Sequence, residues 1–343
     1  MNKHGSIYLD LERVSKAFDL RMPELEGPWV ADKTQFGQSN PTFIISGKNK
    51  KLVLRKKPSG KLLKSAHMIE REFQVMTALE KTGVPVPKMI YLCDDSDEIG
   101  EPYFVMEYIE GRSFLDPRIP EVSFLERRQV YDEIVKGLAK LHSLDPRIIG
   151  LSAFGKPGNY FSRQLSRWSR QYEDSKTEEI LPMEILREWL EKSVPNVEGM
   201  PRLVHGDWRI DNFLFNRKEP KLIAILDWEL STLGDPRADL ASQIMQWSMP
   251  PGEEGRGLAG VNRQKMGIPE DREFIEQYTL YMGLSELPDL EFPVAFCYFR
   301  MAAILQGVKK RALNGNASNP ERALKMGEYV SIYAEKALET LKI

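Results

Sequence analysis

The chain has 343 residues, 42% of them hydrophobic and 29% charged, with a formal net charge of −2. That balance suits a large globular fold with a sizeable core and offers no basic field for nucleic acid; without a run of eighteen apolar residues or a signal-peptide core in 1–10, no membrane partner is expected either. Cys93 and Cys297 are too few for a disulfide framework and point to a reducing cytoplasm, while His4, His67, His142 and His205 lack zinc spacing and leave only Mg²⁺ as a plausible metal.

In chain order, apolar runs at 43–46 and 51–55 around Gly-Lys-Asn-Lys predict two strands joined by a hairpin-like break. A helix is expected over about 65–81, where Ile69, Phe73, Met76 and Leu79 fall at i, i+4, i+7 and i+10 and Thr82 and Gly83 close it. Pro85 and Pro87 mark an extended entry into a strand at 89–92, and 103–106 reads as the next strand. After Gly111 the period turns helical, with Tyr131, Ile134, Val135, Leu138 and Leu141 on one face of 124–142. Further helices are expected over about 159–175, 182–192, 236–248, 270–283, 292–314 and 319–341. A short β-rich island at 203–230 interrupts them, and the Pro and Gly cluster at 250–268 reads as a mobile loop.

The island carries the chemistry. Residues 203–212 read Leu-Val-His-Gly-Asp-Trp-Arg-Ile-Asp-Asn, and 225–229 read Ile-Leu-Asp-Trp-Glu. The first has the spacing of a phosphoryl-transfer loop, H-x-D-x-x-x-x-N; the second puts an Asp at the end of the apolar run 222–226. Asp207 would orient the acceptor hydroxyl and accept its proton, while Asn212 and Asp227 would hold Mg²⁺. Read singly, His-Gly-Asp can be a turn and an Asp after a strand can be a loop cap; their order in one chain favours the catalytic reading.

Helical geometry supplies a second charged element. Glu72 lies about 45° from the centre of the apolar stripe of the 65–81 helix and Glu70 about 115° away, so Glu72 faces the core and needs a cation. The candidate is Arg55, closing the strand 51–55 where kinases place the lysine of V-A-I-K; Arg grips phosphate as a fork rather than a point charge. Lys56 or Lys57 could do that work instead. The loop 36–41, with Gly37, Ser39 and Asn40, stands where a phosphate-covering loop belongs but holds a single Gly. Residues 106–111 read as the hinge between lobes, with backbone groups near Glu107 and Ile109 meeting adenine. A G-x-G-x-x-G at 255–260 follows no predicted strand and is set aside as a dinucleotide fingerprint. No P-loop and no G-x-S-x-G occur.

With these motifs the chain resembles the aminoglycoside phosphotransferase and choline kinase-like superfamily, small-molecule relatives of protein kinases, from about residue 36 to beyond 240. The resemblance implies an α+β, bilobal, protein-kinase-like fold. Residues 1–108 would form a small antiparallel β lobe with one helix that binds ATP, and 109–343 a large, mostly helical catalytic and acceptor-binding lobe. It casts Asp207 as catalytic base, His205 as the histidine supporting the loop, and Asn212 and Asp227 as Mg²⁺ ligands. Within 234–240, Gly-Asp-Pro-Arg-Ala-Asp-Leu, it casts Asp239 as a brace for that loop. Asp-Trp-Glu stands where protein kinases carry D-F-G, and no Ala-Pro-Glu segment follows, which disfavours a protein substrate.

Residues 53–55, 60–63, 70–73, 82–87, 158–160, Arg163, Gln164, Arg167 and Trp168 resemble a branch whose kinase domain occurs alone or fused to acyl-CoA dehydrogenases. That branch implies a hydroxyl on an acyl chain as acceptor, such as a 4-hydroxyacyl-CoA, rather than an antibiotic. The run Tyr160, Arg163, Arg167, Trp168 and Arg170 also points to an anionic acceptor, unless it is a solvated helix face. The alternative function is a catalytically silent nucleotide-binding module; an aminoglycoside or protein kinase is disfavoured. Oligomeric state stays open.

Overall fold

The structure, a computed structural model, describes residues 9–34, 40–59, 68–156, 159–196, 200–252, 256–317 and 319–343. The chain runs α1 (Leu11–Arg21), β1 (Val30–Lys33), β2 (Thr42–Ser46), β3 (Lys51–Lys56), α2 (Ile69–Leu79), β4 (Met89–Cys93), the one-turn α3 (Ser96–Ile99) and β5 (Tyr103–Glu107). Next come α4 (Phe124–Ser143), α5 (Tyr160–Ser175), α6 (Leu181–Ser193), β6 (Arg202–Val204), β7 (Phe213–Phe215), β8 (Leu222–Ile225) and β9 (Thr232–Gly234). It closes with α7 (Arg237–Trp247), α8 (Arg263–Met266), α9 (Asp271–Met282), α10 (Glu291–Leu313), α11 (Pro320–Gly327) and α12 (Tyr329–Leu341). Two compact units result. One comprises Met1–Ser113, Ile149–Leu151 and Asn212–Ser231; the other comprises Phe114–Ile148, Ser152–Asp211 and Thr232–Ile343.

The first unit is built on an antiparallel sheet of five strands in the order β1-β2-β3-β5-β4. Its middle strand, β3, is buried from Leu52 to Lys56, a near-continuous run that marks a strand covered on both faces. Helix α2 turns Ile69, Glu72, Val75, Met76 and Leu79 inward, so a carboxylate does share the apolar stripe. Besides α2 the unit carries α1, whose Val14, Ala17 and Phe18 are buried and whose cap Asp10 accepts from the Arg13 N–H. Three inward positions make too short a pattern to announce that helix in the sequence. The hairpin β7–β8 also belongs here, paired through Phe213 with Ile225 and Leu214 with Ala224. Arg112 and Phe215 exchange backbone hydrogen bonds of 2.9 and 2.8 Å beside Gly111, where an added Cβ would stand 2.8 Å from the Phe215 carbonyl oxygen.

The second unit is mostly helical. Its core gathers on α10, where residues from Phe292 to Gln306 are buried on nearly every side of the helix against α5, α7 and α12. The two-stranded ribbon β6–β9 brackets the hairpin in sequence but pairs only within this unit. The single helix expected at 319–341 is two, broken between Gly327 and Tyr329; the apolar positions continue in step across the break, so periodicity does not register it. In α5, Tyr160 and Trp168 belong to the core while Arg167 and Arg170 are exposed, so the aromatic and basic residues face different ways. Residues 256–268 are tied down rather than loose. Leu258 and Ile268 are buried, and the N–H groups of Leu258 and Ala259 donate to Trp247 and Met249 at 2.8 and 3.0 Å. Among the described residues no helix is long and apolar enough to cross a membrane.

Candidate functional site

In the first unit, β3 delivers Arg55 and α2 delivers Glu72, and the two side chains meet at 2.9 Å, Nε to Oε2, both almost fully buried. Arg55 Nη2 also donates to Asp227 Oδ1 at 2.9 Å and lies 3.7 Å from Glu229 Oε2. One guanidinium therefore faces three carboxylates. Burial pushes the Glu72 carboxyl up, to about 7; Arg55 opposes this, Asp227 and Glu229 reinforce it, and the Trp228 N–H opposes it again. Asn40, fully buried, donates from Nδ2 to Glu229 Oε2 at 3.3 Å. Lys56 is committed to Glu101 at 2.7 Å and Lys57 to Glu70, so Arg55 alone of the three candidate cations stands among these acids.

Asp227 and Asn212 reach the same end of the β7–β8 hairpin. The Leu226 N–H donates to the Asn212 carbonyl at 2.8 Å, and Phe213 pairs with Ile225, so the two side chains flank one closing hydrogen bond. Asp227 adopts the left-handed conformation (φ 65°, ψ 61°), which Asp tolerates better than most residues and which marks a locally strained position. Trp228 is fully buried beside it and donates from Nε1 to the Ile225 carbonyl at 2.9 Å. Among the described residues no three His, Cys, Asp or Glu form a metal cage. Mg²⁺ does not need one: it takes one or two protein ligands with phosphate and water, and excess carboxylate around Arg55 fits a cation. Glu107 ends β5 and gives its N–H to the Lys88 carbonyl at 2.9 Å, and Ile109 lies half-buried two residues on. Gly37 and Ser39 lie outside the described residues.

In the second unit, the loop after β6 is organised by Asp239 on α7. Asp239 is fully buried and accepts from the His205 N–H at 2.7 Å, the Gly206 N–H at 2.8 Å and His142 Nε2 at 3.2 Å. Gly206 holds φ at 85°, the left-handed turn that lets two successive N–H groups converge on one carboxylate. His205 Nδ1 accepts from the Asp207 N–H at 3.2 Å, and the His205 ring stands edge-on to Trp208. Burial alone would push the Asp239 carboxyl up. The hydrogen bond and charge of His142, the charge of His205 and the Gly206 N–H outweigh it and hold it below the ordinary carboxylate range. Gly206→Ala would force a Cβ into the left-handed region at a cost of roughly 1–2 kcal/mol, visible as a lower urea midpoint at unchanged slope.

Asp207 is gripped in a fork by Arg209, with Nε to Oδ1 at 2.8 Å and Nη2 to Oδ2 at 3.0 Å. Arg209 lies 3.5 Å from Asp211, which takes a second guanidinium, Arg256, at 2.8 Å. These residues line a small cavity together with Leu115, Gln243 and Trp247. Sequence reasoning did not single out Arg209, Asp211, Arg256 or Glu229. Their signal was charge inside the motif itself, two Asp and an Arg within 207–211, but which of them pair depends on α7 and the loop after it.

A kinase-type β unit with an Arg–Glu–Asp cluster, and a helical unit with a braced His-Gly-Asp loop, define a phosphotransferase fold. The phosphotransferase enzyme family model matches residues 34–273, and the chain belongs to that family. It is 39% identical to a Ralstonia eutropha JMP134 protein provisionally named an aminoglycoside phosphotransferase, whose crystal structure superposes with a TM-score of 0.87 over 98% of this chain and 99% of that one. It is 43% identical over 312 residues to mouse acyl-CoA dehydrogenase family member 10, matching 91% of this chain but spanning only 29% of that protein's length. A thermostable mutant of the aminoglycoside phosphotransferase APH(4)-Ia, solved as a ternary complex with AMP-PNP and hygromycin B, shares the fold at a TM-score of 0.64 and 13% identity, covering 95% of this chain and 98% of that one.

Proposed function

We propose that the chain is an ATP- and Mg²⁺-dependent kinase that transfers the γ-phosphate to a hydroxyl of a small molecule, and that this hydroxyl lies on an acyl chain, as in a hydroxyacyl-CoA. The observation that carries the reading is the ordered acid–base set: Arg55 clamped between Glu72 and Asp227 in one unit, and Asp207 held by Arg209 on a loop braced by Asp239 in the other. Arg55 would grip phosphate oxygens in place of the usual lysine. Asn212 and Asp227 would hold Mg²⁺, whose chemistry when bound is to bridge and neutralise the phosphate oxygens. Asn40, Gly37 and Ser39 would cover the phosphates, and backbone groups near Glu107 and Ile109 would meet adenine. Asp207 would orient the acceptor hydroxyl and take its proton, aimed by the Arg209 fork.

Support for a small acceptor comes from the hygromycin B bound by APH(4)-Ia, and support for nucleotide from the AMP-PNP in the same complex. The acyl acceptor rests on the relatives named as acyl-CoA dehydrogenase family members. A reducing, cytoplasmic setting is supported by the two cysteines, both free and buried.

Melting the protein with Mg-ATP, with ATP plus chelator, and with Mg²⁺ alone tests nucleotide binding; only the first should raise Tm by several degrees. ADP release is then followed against hydroxyacyl-CoA, amino-alcohol and aminoglycoside acceptors. Turnover is expected on the hydroxyacyl probe. Stabilisation by Mg-ATP without turnover on any acceptor would instead identify a silent nucleotide-binding module.

A further inference from the structure

Arg300 is the only charged residue between Glu291 and Lys309, in the middle of α10. It is 6% exposed, and a guanidinium that deep is normally matched by a carboxylate. Here the neighbouring acids are already engaged. Asp207 is forked by Arg209, Asp239 accepts from three donors of its own, and Asp211 is shared by Arg209 and Arg256. Among the described residues no carboxylate lies within salt-bridge distance of Arg300; its one hydrogen bond is a long one, Nη2 to Ser242 Oγ at 3.4 Å, and its Nε has no partner. The helical unit thus keeps an under-bonded guanidinium in its interior.

That charge sits in the electrostatic neighbourhood of the reacting loop. Burial alone would pull the Arg300 guanidinium down, but the charges of Cys297, Tyr160, Asp207 and Asp239 hold it above its ordinary value. A second buried polar atom on the adjoining helix, Gln243 Oε1, also lacks a donor, and Gln243 lines the cavity shared by Arg209 and Asp211. Unmet donors and acceptors at these depths cost stability, so both side chains stand at a stability cost. The exposed arginines of α5 do not share this property, since they point away from the core that Tyr160 and Trp168 join.

We propose that Arg300 is a specificity-determining residue for the acceptor, its buried guanidinium receiving a carbonyl or carboxylate oxygen of the molecule whose hydroxyl Asp207 addresses. The inference rests on the kinase reading above and adds what the helical unit recognises. A thioester carbonyl and a free carboxylate offer the same acceptor oxygen; they differ in charge, and the assay separates them.

Wild type, Arg300→Gln and Arg300→Lys are compared by ADP release at saturating Mg-ATP on three probes: a 4-hydroxyacyl-CoA, the free 4-hydroxy acid, and a secondary alcohol of equal chain length with no carbonyl. Arg300→Gln should lower kcat/KM on the better carbonyl-bearing probe by about 10- to 100-fold, mainly through KM, the loss expected for a hydrogen bond to a charged group. It should leave the plain alcohol within about twofold. Arg300→Lys should recover part of the loss, and the preferred probe of wild type tells thioester from carboxylate. If Arg300→Gln fails to fold, Arg300→Lys alone decides, with a raised KM confined to the carbonyl-bearing probes expected. An equal loss on all three probes, a raised KM for ATP, or an unchanged KM on every probe overturns the inference while wild-type turnover keeps the kinase reading intact. Wild type inactive on all three probes would remove the acyl reading itself and this inference with it.

Discussion

Asp207→Ala is expected to reduce kcat on a productive acceptor by about 10²–10⁴-fold, the usual contribution of a positioned general base. The tertiary structure makes this a clean experiment. Asp207 is only partly buried, its carboxylate is bound by Arg209, and Arg209 keeps Asp211 at 3.5 Å when Asp207 is truncated. Arg209 thus keeps an acid partner, so the stability loss should stay near 1 kcal/mol, within the range of a partly exposed ion pair. Stabilisation by Mg-ATP should persist, because Arg55, Glu72 and Asp227 belong to the other unit. ADP release and melting curves, measured on the same preparation, check both halves. Full turnover in the variant would remove Asp207 from the mechanism; lost turnover together with lost Mg-ATP stabilisation would assign it to nucleotide binding instead.

Asp239→Ala should be the most destabilising single change in the helical unit. It removes one fully buried carboxylate that three donors share, the N–H groups of His205 and Gly206 and the ring of His142. Stranding buried donors costs about 1–3 kcal/mol each, and breaking a buried pair typically costs about 3–5 kcal/mol, so a loss of that latter size is expected. Asp239→Asn retains an oxygen for one N–H but turns an amide donor toward another, and should lose about half as much. Activity should fall by about 10²-fold in whichever variant folds, because the loop that aims Asp207 loses its anchor.

The same carboxylate carries a pH signature. Its folded-state pKa is lowered, so its contribution is fully present above the unfolded value of about 3.9 and is lost as pH falls through the folded value. Urea melts should therefore show the wild-type advantage over Asp239→Asn shrinking between neutral pH and pH 3. An advantage that stays constant over that interval would contradict the electrostatic account of the brace.

Much of the site was legible because its parts are set by local geometry. The five-residue step from Asp207 to Asn212 spans one loop, and the apolar run 222–226 ends one strand at Asp227; neither depends on what packs elsewhere. The inward turn of Glu72 follows from about 100° per residue along α2. Other features needed the fold. The hairpin that holds Asn212 and Asp227 lies far along the chain yet packs with residues 1–113, a grouping that no spacing announces. Helix α1 hid because three inward residues do not make a period. Arg163, Arg167 and Arg170 stood with Tyr160 and Trp168 as one basic, aromatic run, and the helix sends its aromatics into the core and Arg167 and Arg170 to the surface.

The sequence alone thus determined the family, the α+β class and the order of the residues that belong to the phosphotransferase motif, because each is written in spacings of a few residues or a single helical turn. The tertiary structure decided how the charges are shared. It gives Arg55 three carboxylates, sets a forked arginine on Asp207, and, among the described residues, leaves Arg300 without an acid at salt-bridge distance. Charge pairing joins side chains more than a hundred residues apart, Arg55 with Asp227 being one such pair, and burial makes each match or mismatch count in kcal/mol. Which charges pair depends on how the elements pack, and spacing along the chain does not encode it.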